Sequence, residues 1–151
     1  MQIKHLLIAT STLLWMSCTN NTPPAPTSSP ETEHHEHTDA LQSIELDNGH
    51  KWKVDAPMME YIRIMEKEVH ASNLSAQKDY PALAKTLQTQ VDGLTSNCTM
   101  TGKSHDELHK WLLPYIDLVK AFDEATGTPA EAEQHLKEID ASFDTFNQYF
   151  E

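Results

Sequence analysis

Between Asn97 and Trp111 the chain reads NCTMTGKSHDELHKW, which gathers a thiol (Cys98), a thioether (Met100) and two imidazoles (His105 and His109). Soft thiolate and thioether ligands combined with imidazole favour Cu(I). Zinc accepts Cys and His but rarely a thioether, so Zn(II) ranks second. On a helix, His105 and His109 form an i, i+4 pair about 6 Å apart along the axis, close enough to ligate one ion. With Leu108 as the zero of a helical wheel, Leu112 falls near ~40°, His105 near ~60°, Ile116 near ~80° and His109 near ~100°. Both imidazoles thus share the sector of the core-facing residues, where buried polar groups need partners. Each donor also has a bland role: a hydrogen-bonded histidine, a packing methionine, an inert thiol. The spacing Cys-x-Met followed by His-x-x-x-His matches none of the common zinc-finger or ribbon patterns.

Other chemistries fit less well. "HDELH" resembles the H-E-x-x-H of zinc proteases, but Asp106 stands where the general-base Glu should be, and Glu107 reads as the capping partner of Ser104. Covalent haem attachment needs C-x-x-C-H, which is absent. Noncovalent haem between Met58 and His109 is a rival reading. Di-iron sites need Glu-x-x-His pairs, and Lys67 and Ala132 occupy the Glu positions ahead of His70 and His135. The expectation is a protein that is not an enzyme.

The N-terminus indicates where the donors would work. Lys4, then the apolar run Leu6 to Met16, then Ser17 and Cys18, follow the order of a secretory signal. The apolar run is too short to cross a bilayer core of roughly 30 Å. A Cys after a small residue, followed by a polar stretch, looks like a bacterial lipoprotein signal, with Cys18 lipidated as the mature N-terminus. Residues 1–17 are the expected signal peptide. Residues 18–40 are the lipidated Cys and a disordered tether rich in Pro, Ser, Thr, Asn and Glu, which cannot bury enough surface to offset its ordering entropy. The tether includes His34, His35 and His37, a short His-rich tract read as a solvated linker. With Cys18 acylated, Cys98 has no intrachain disulfide partner. The formal charge of -12 becomes -13 once Lys4 leaves with the signal. That balance excludes nucleic acid and anionic headgroups as partners, so membrane attachment would come from the acyl chains.

Residues 41–151 hold the elements that must position the donors. Asn48-Gly49 between alternating runs (Ile44, Leu46; Trp52, Val54) predicts a short β-hairpin anchored by Trp52. Four amphipathic stripes come next: Met58, Ile62, Met65, Val69; then Tyr80, Leu83, Leu87, Val91, Leu94; then Leu108, Leu112, Tyr115, Ile116, Val119, Phe122; then Leu136, Ile139, Phe143, Phe146, Phe150. Ser104 with Glu107, and Thr128-Pro129 with Glu131, predict capping boxes. Pro114 should kink the third helix. Short connections make sequential helices antiparallel neighbours. The predicted fold is all-α, an up-down-up-down four-helix bundle preceded by the hairpin. That topology brings Met58 and Met59, at the start of the first helix, to the same end as the Cys98–His109 stretch.

The run CTMTGKSHDELHKWLLP, with LDNGHKWKVD upstream, resembles a family of small exported proteins and lipoproteins of Bacteroidetes-type bacteria whose pattern is C-T-M-x-G-x-x-H-x-x-L-H. The resemblance covers most of the chain beyond residue 41. It implies a shared fold and export and brings no activity with it. The resulting expectation is a membrane-anchored lipoprotein of the cell envelope, facing the periplasm or the cell surface. It would bind a soft metal ion, copper first, through Cys98, Met100, His105 and His109, with Met58 or Met59 closing the shell. The alternative is a lipid-tethered structural or protein-interaction module with no metal.

Overall fold

The structure, a computed structural model, describes residues 43–151. The expected signal peptide, Cys18 and the tether with its histidines lie outside the described residues. Four helices succeed one another: α1 Ala56–Leu74, α2 Tyr80–Ser96, α3 Lys103–Ala125 and α4 Pro129–Tyr149. Each begins or ends for a local reason. Pro57, Pro81 and Pro129 occupy first-turn positions, where a missing N–H costs nothing. Asp79 caps α2, its side chain accepting the Ala82 amide at 3.1 Å. Gly102, at φ 72, turns the chain into α3 in a conformation that L side chains rarely adopt.

The predicted capping boxes do not form. Ser104 lies inside α3, one residue beyond its start, so its hydroxyl is past the capping position. Thr128 precedes α4 without a side-chain cap, and its carbonyl accepts from the Ala132 amide instead. Pro114 rides on an exposed face of α3, and the helix continues without a break across it.

The helices close into a ring: α1 on α2, α2 on α3, α3 on α4, and α4 back on α1. Arg63 meets Asn147 and His70 meets Asp140, so α1 and α4 run antiparallel. The apolar stripes point inward as their periodicity requires. Met58, Ile62, Met65, Val69, Leu87, Leu94, Leu108 and Phe122 are fully buried. Between α3 and α4 the core is aromatic. Trp111 stacks on Tyr115 at 4.8 Å between centroids and leans on Phe146 at the same distance, while its indole N–H donates to the Ser142 carbonyl.

The predicted hairpin is reduced to its turn. Asn48 and Gly49 adopt φ 51 and 88, and Asp47 and His50 exchange both backbone hydrogen bonds. No strand forms among the described residues; only isolated bridges do. An isolated two-stranded hairpin is marginal in water, and here the chain past the turn has a better partner. Trp52 pairs in parallel with Phe150, donating its amide to the Tyr149 carbonyl and accepting from the Glu151 amide, and Val54 donates to the Glu151 carbonyl. Trp52 is buried, as its expected role of anchor demands.

Candidate functional site

The end of the bundle that carries the α2–α3 connection is built from the start of α1, the end of α2 and the start of α3. Two side chains fasten the connecting loop there. Asn97 donates to the Gly93 carbonyl at 2.8 Å and to the Tyr61 hydroxyl at 3.3 Å, and Thr99 donates to Asp55 at 2.8 Å. Tyr61 lies against Gly93, where a Cβ would meet its ring at 2.5 Å. The loop residues between these fastenings therefore have little freedom.

Two of the predicted donors are brought together. His105 and His109 have ring centroids 4.2 Å apart, with the planes at 61°. Both residues are only half-buried, at the flank of the core sector and not within it as the helical wheel predicts. Burial holds the His109 imidazole below the usual histidine range, the neighbouring His105 lowers it further, and Asp106 offsets this in part. His109 is thus a neutral ring with a lone pair on one nitrogen at neutral pH.

The sulfurs are distributed differently. Cys98 is a free, half-buried thiol packed against the core, and Met100 is buried in it. Met58 is wholly enclosed, whereas Met59 keeps a partial solvent face. Among the described residues, no group of three His, Cys, Asp or Glu side chains is close enough to hold a metal ion. Cys98 therefore does not join the imidazole pair in a ready-made centre. His70 and His135 sit elsewhere, at 3.1 Å from Asp140 and 3.2 Å from Glu138.

Glu107 belongs to another construction. Although flanked in sequence by the two histidines, it lies about 160° or more around α3 from them and is the one buried charged residue among those described. Its carboxylate accepts the Glu45 amide at 2.9 Å and pairs with Lys110 at 2.8 Å. Burial pushes this carboxyl up, but Lys110, the Glu45 amide and Lys103 outweigh it and the net is below the usual carboxylate range. Glu107 is therefore a clasp for residues 43–55, not the partner of Ser104. The wheel carried a hint: Glu107 falls about 40° from Trp111, on a flank that has to be covered.

No family model matches the chain, and neither curated proteins nor solved structures yield a match. Within the run from Cys98 to His109, Gly102 has a structural duty at the start of α3 and Leu108 a packing one.

Proposed function

We propose that this protein is a lipid-anchored lipoprotein of the cell envelope whose helical domain binds a soft metal ion, Cu(I) ahead of Zn(II), for sequestration or transfer, without catalysis. The observation that carries the reading is the adjacent, half-buried His105–His109 pair, whose centroids lie 4.2 Å apart. Two imidazoles so close, the His109 ring held below the usual histidine range by burial, present lone pairs that a cation can share. The donor chemistry suits copper if Cys98 and Met100, carried on the adjoining loop, turn their sulfurs towards the pair. Met59, with its solvent face, is a better closing ligand than the enclosed Met58. Binding would then require the α2–α3 loop to release its Asn97 or Thr99 fastening while the two imidazoles stay in place.

That no third His, Cys, Asp or Glu side chain stands beside the pair, among the described residues, motivates a second reading: a tethered protein-interaction module with no metal. One titration separates the two. The full chain, with His34, His35 and His37 changed to Asn to remove the tether donors, is reduced and titrated anaerobically with Cu(I) and with Zn(II). Near-unit binding that weakens at least about tenfold, or 1.4 kcal/mol, in both Cys98→Ser and His109→Ala supports the site. Equal weak binding by all variants overturns it and leaves the interaction module. The anchor has its own test. Cys18→Ala should abolish incorporation of a labelled fatty acid and release the protein from membranes, because each buried methylene contributes about 0.8 kcal/mol.

A further inference from the structure

Where the ring of helices closes, α4 packs back on α1, and one contact in that seam is incomplete. Asp140 Oδ1 is buried and accepts no hydrogen bond from any described residue, although His70 Nε2 stands 3.1 Å away. That distance suits a hydrogen bond, so it is direction that fails: the ring N–H is not aimed at the oxygen. His135, on the same helix as Asp140, makes the contrast, since its Nδ1 and Glu138 do share a hydrogen bond at 3.2 Å. Helix register holds the incomplete pair in place. His70 follows Arg63 by seven residues and Asp140 precedes Asn147 by seven, so the two contacts lie two turns apart along both helices. Each member also comes directly after a fully buried residue, Val69 or Ile139, and so stands at the rim of the core with a face open to water.

We propose that His70 and Asp140 are two ligands of a Zn(II) site that staples α1 to α4, separate from the soft-metal site near the start of α3. Zinc binds an imidazole nitrogen at about 2.0–2.1 Å and a carboxylate oxygen at about 2.0–2.2 Å. Two such ligands 3.1 Å apart subtend about 95° at one ion. The tetrahedral angle needs about 3.4 Å, a shift of roughly 0.3 Å that side chains with open faces can make. An ion on the lone-pair axis of Nε2 would lie about 40° off the line to Oδ1. A ring aimed at a shared cation therefore gives the oxygen no hydrogen bond. The donor set selects the metal: imidazole with carboxylate and no sulfur suits Zn(II) over Cu(I), and water takes the remaining positions. The formal charge of -12 raises the concentration of cations near the surface. Because α1 and α4 are the first and last helices, a bridge between them closes a long loop, where a metal clip constrains the unfolded chain most.

Zinc titration of the full chain tests this apart from the soft-metal reading. In the parent protein His34, His35 and His37 are changed to Asn, His105 and His109 to Ala, and Cys98 to Ser, so neither the tether nor the α2–α3 stretch contributes donors. Circular dichroism should show unchanged helix in the parent and its variants, because every substituted residue in the described part is exposed or half-buried. Calorimetry is expected to find one Zn(II) per chain, with affinity reduced at least tenfold by His70→Ala and by Asp140→Asn and unchanged by His135→Ala. Zinc should also raise the melting temperature of the parent and of His135→Ala, but not of the other two. Equal binding by all four proteins overturns the proposal, as does no binding by the parent. A loss in His135→Ala as large as in His70→Ala overturns it too, since it would mean diffuse attraction to an acidic surface. In a second measurement the α2–α3 donors are restored, and His70→Ala should still remove that one zinc ion; retention of all bound zinc there would overturn the site. The soft-metal site stands or falls separately, because its histidines and thiol are absent from every protein of the first comparison.

Discussion

Met58 and Met59 are neighbours in sequence and opposites in environment. Met58 has no exposed surface, so Met58→Ala should destabilise the fold by about 2–5 kcal/mol, the range for emptying a buried site. Met59 is only half-buried; Met59→Ala should cost less than about 1 kcal/mol in urea melts while weakening Cu(I) binding if its thioether closes the shell. Loss of copper affinity in Met58→Ala alone, with stability unchanged, would reverse the assignment. Gly93 offers a second test at this scale. A glycine inside a helix is ordinarily improved by alanine, by about 1 kcal/mol. Here the added methyl would meet the Tyr61 ring at 2.5 Å, and Tyr61 is held by Asn97. Gly93→Ala should therefore destabilise by about 1–3 kcal/mol, and Tyr61→Ala in the same chain should remove most of the conflict.

Among the elements, the strap formed by residues 43–55, which Glu107 clasps to α3, is the one whose construction departs furthest from local pattern. Its Asn-Gly turn was readable because both residues must take positive φ, and they do. The pairing beyond the turn was not readable, since Trp52 joins Phe150, almost a hundred residues away in the chain. No local alternation reports such a partner. Capping failed for a related reason. Ser104 and Glu107 have the spacing of a capping box, but a tertiary partner, the Glu45 amide, claims Glu107 first, together with Lys110 one turn further along α3. The helical stripes, by contrast, were legible to within a few residues, because burial of one face at a 3.6-residue period depends on local order alone. The His105–His109 pair was legible on the same grounds, whereas the position of Cys98 depends on loop geometry that periodicity does not encode. Removing the clasp should unfasten the strap selectively. Glu107→Ala leaves the Glu45 amide without its acceptor and Lys110 with only the Ser43 carbonyl, at a cost of about 1–3 kcal/mol. Hydrogen exchange should accelerate at Glu45 well before it does so in α1 or α2.

Across the whole molecule, the two ends of the bundle are closed by different chemistry. The end holding the strap is closed by backbone pairing and aromatic burial, with Phe150 almost fully enclosed against Phe146 at 5.1 Å. The far end relies on charge. Lys78, just ahead of α2, donates to both oxygens of Glu133 on α4, and the Tyr80 hydroxyl donates to one of them at 2.8 Å. The Lys78 hydrogen bond and then that of Tyr80 hold the Glu133 carboxyl below the usual range, while Glu133 raises the Tyr80 phenol. The carboxyl is lowered in the folded state, so its contribution is fully present above the unfolded value near 4.5 and is lost as pH falls through the folded value. Melts of the wild type against Glu133→Gln should therefore differ by a small amount at neutral pH, under about 1 kcal/mol for so exposed a pair. The two curves should converge on acidification below that value. Gln keeps an acceptor for Lys78 and Tyr80 and removes only the charge, so the converging difference isolates the ion pair from the other carboxylates. A gap that persists unchanged at low pH would mean that packing, not charge, joins α2 to α4 at this end.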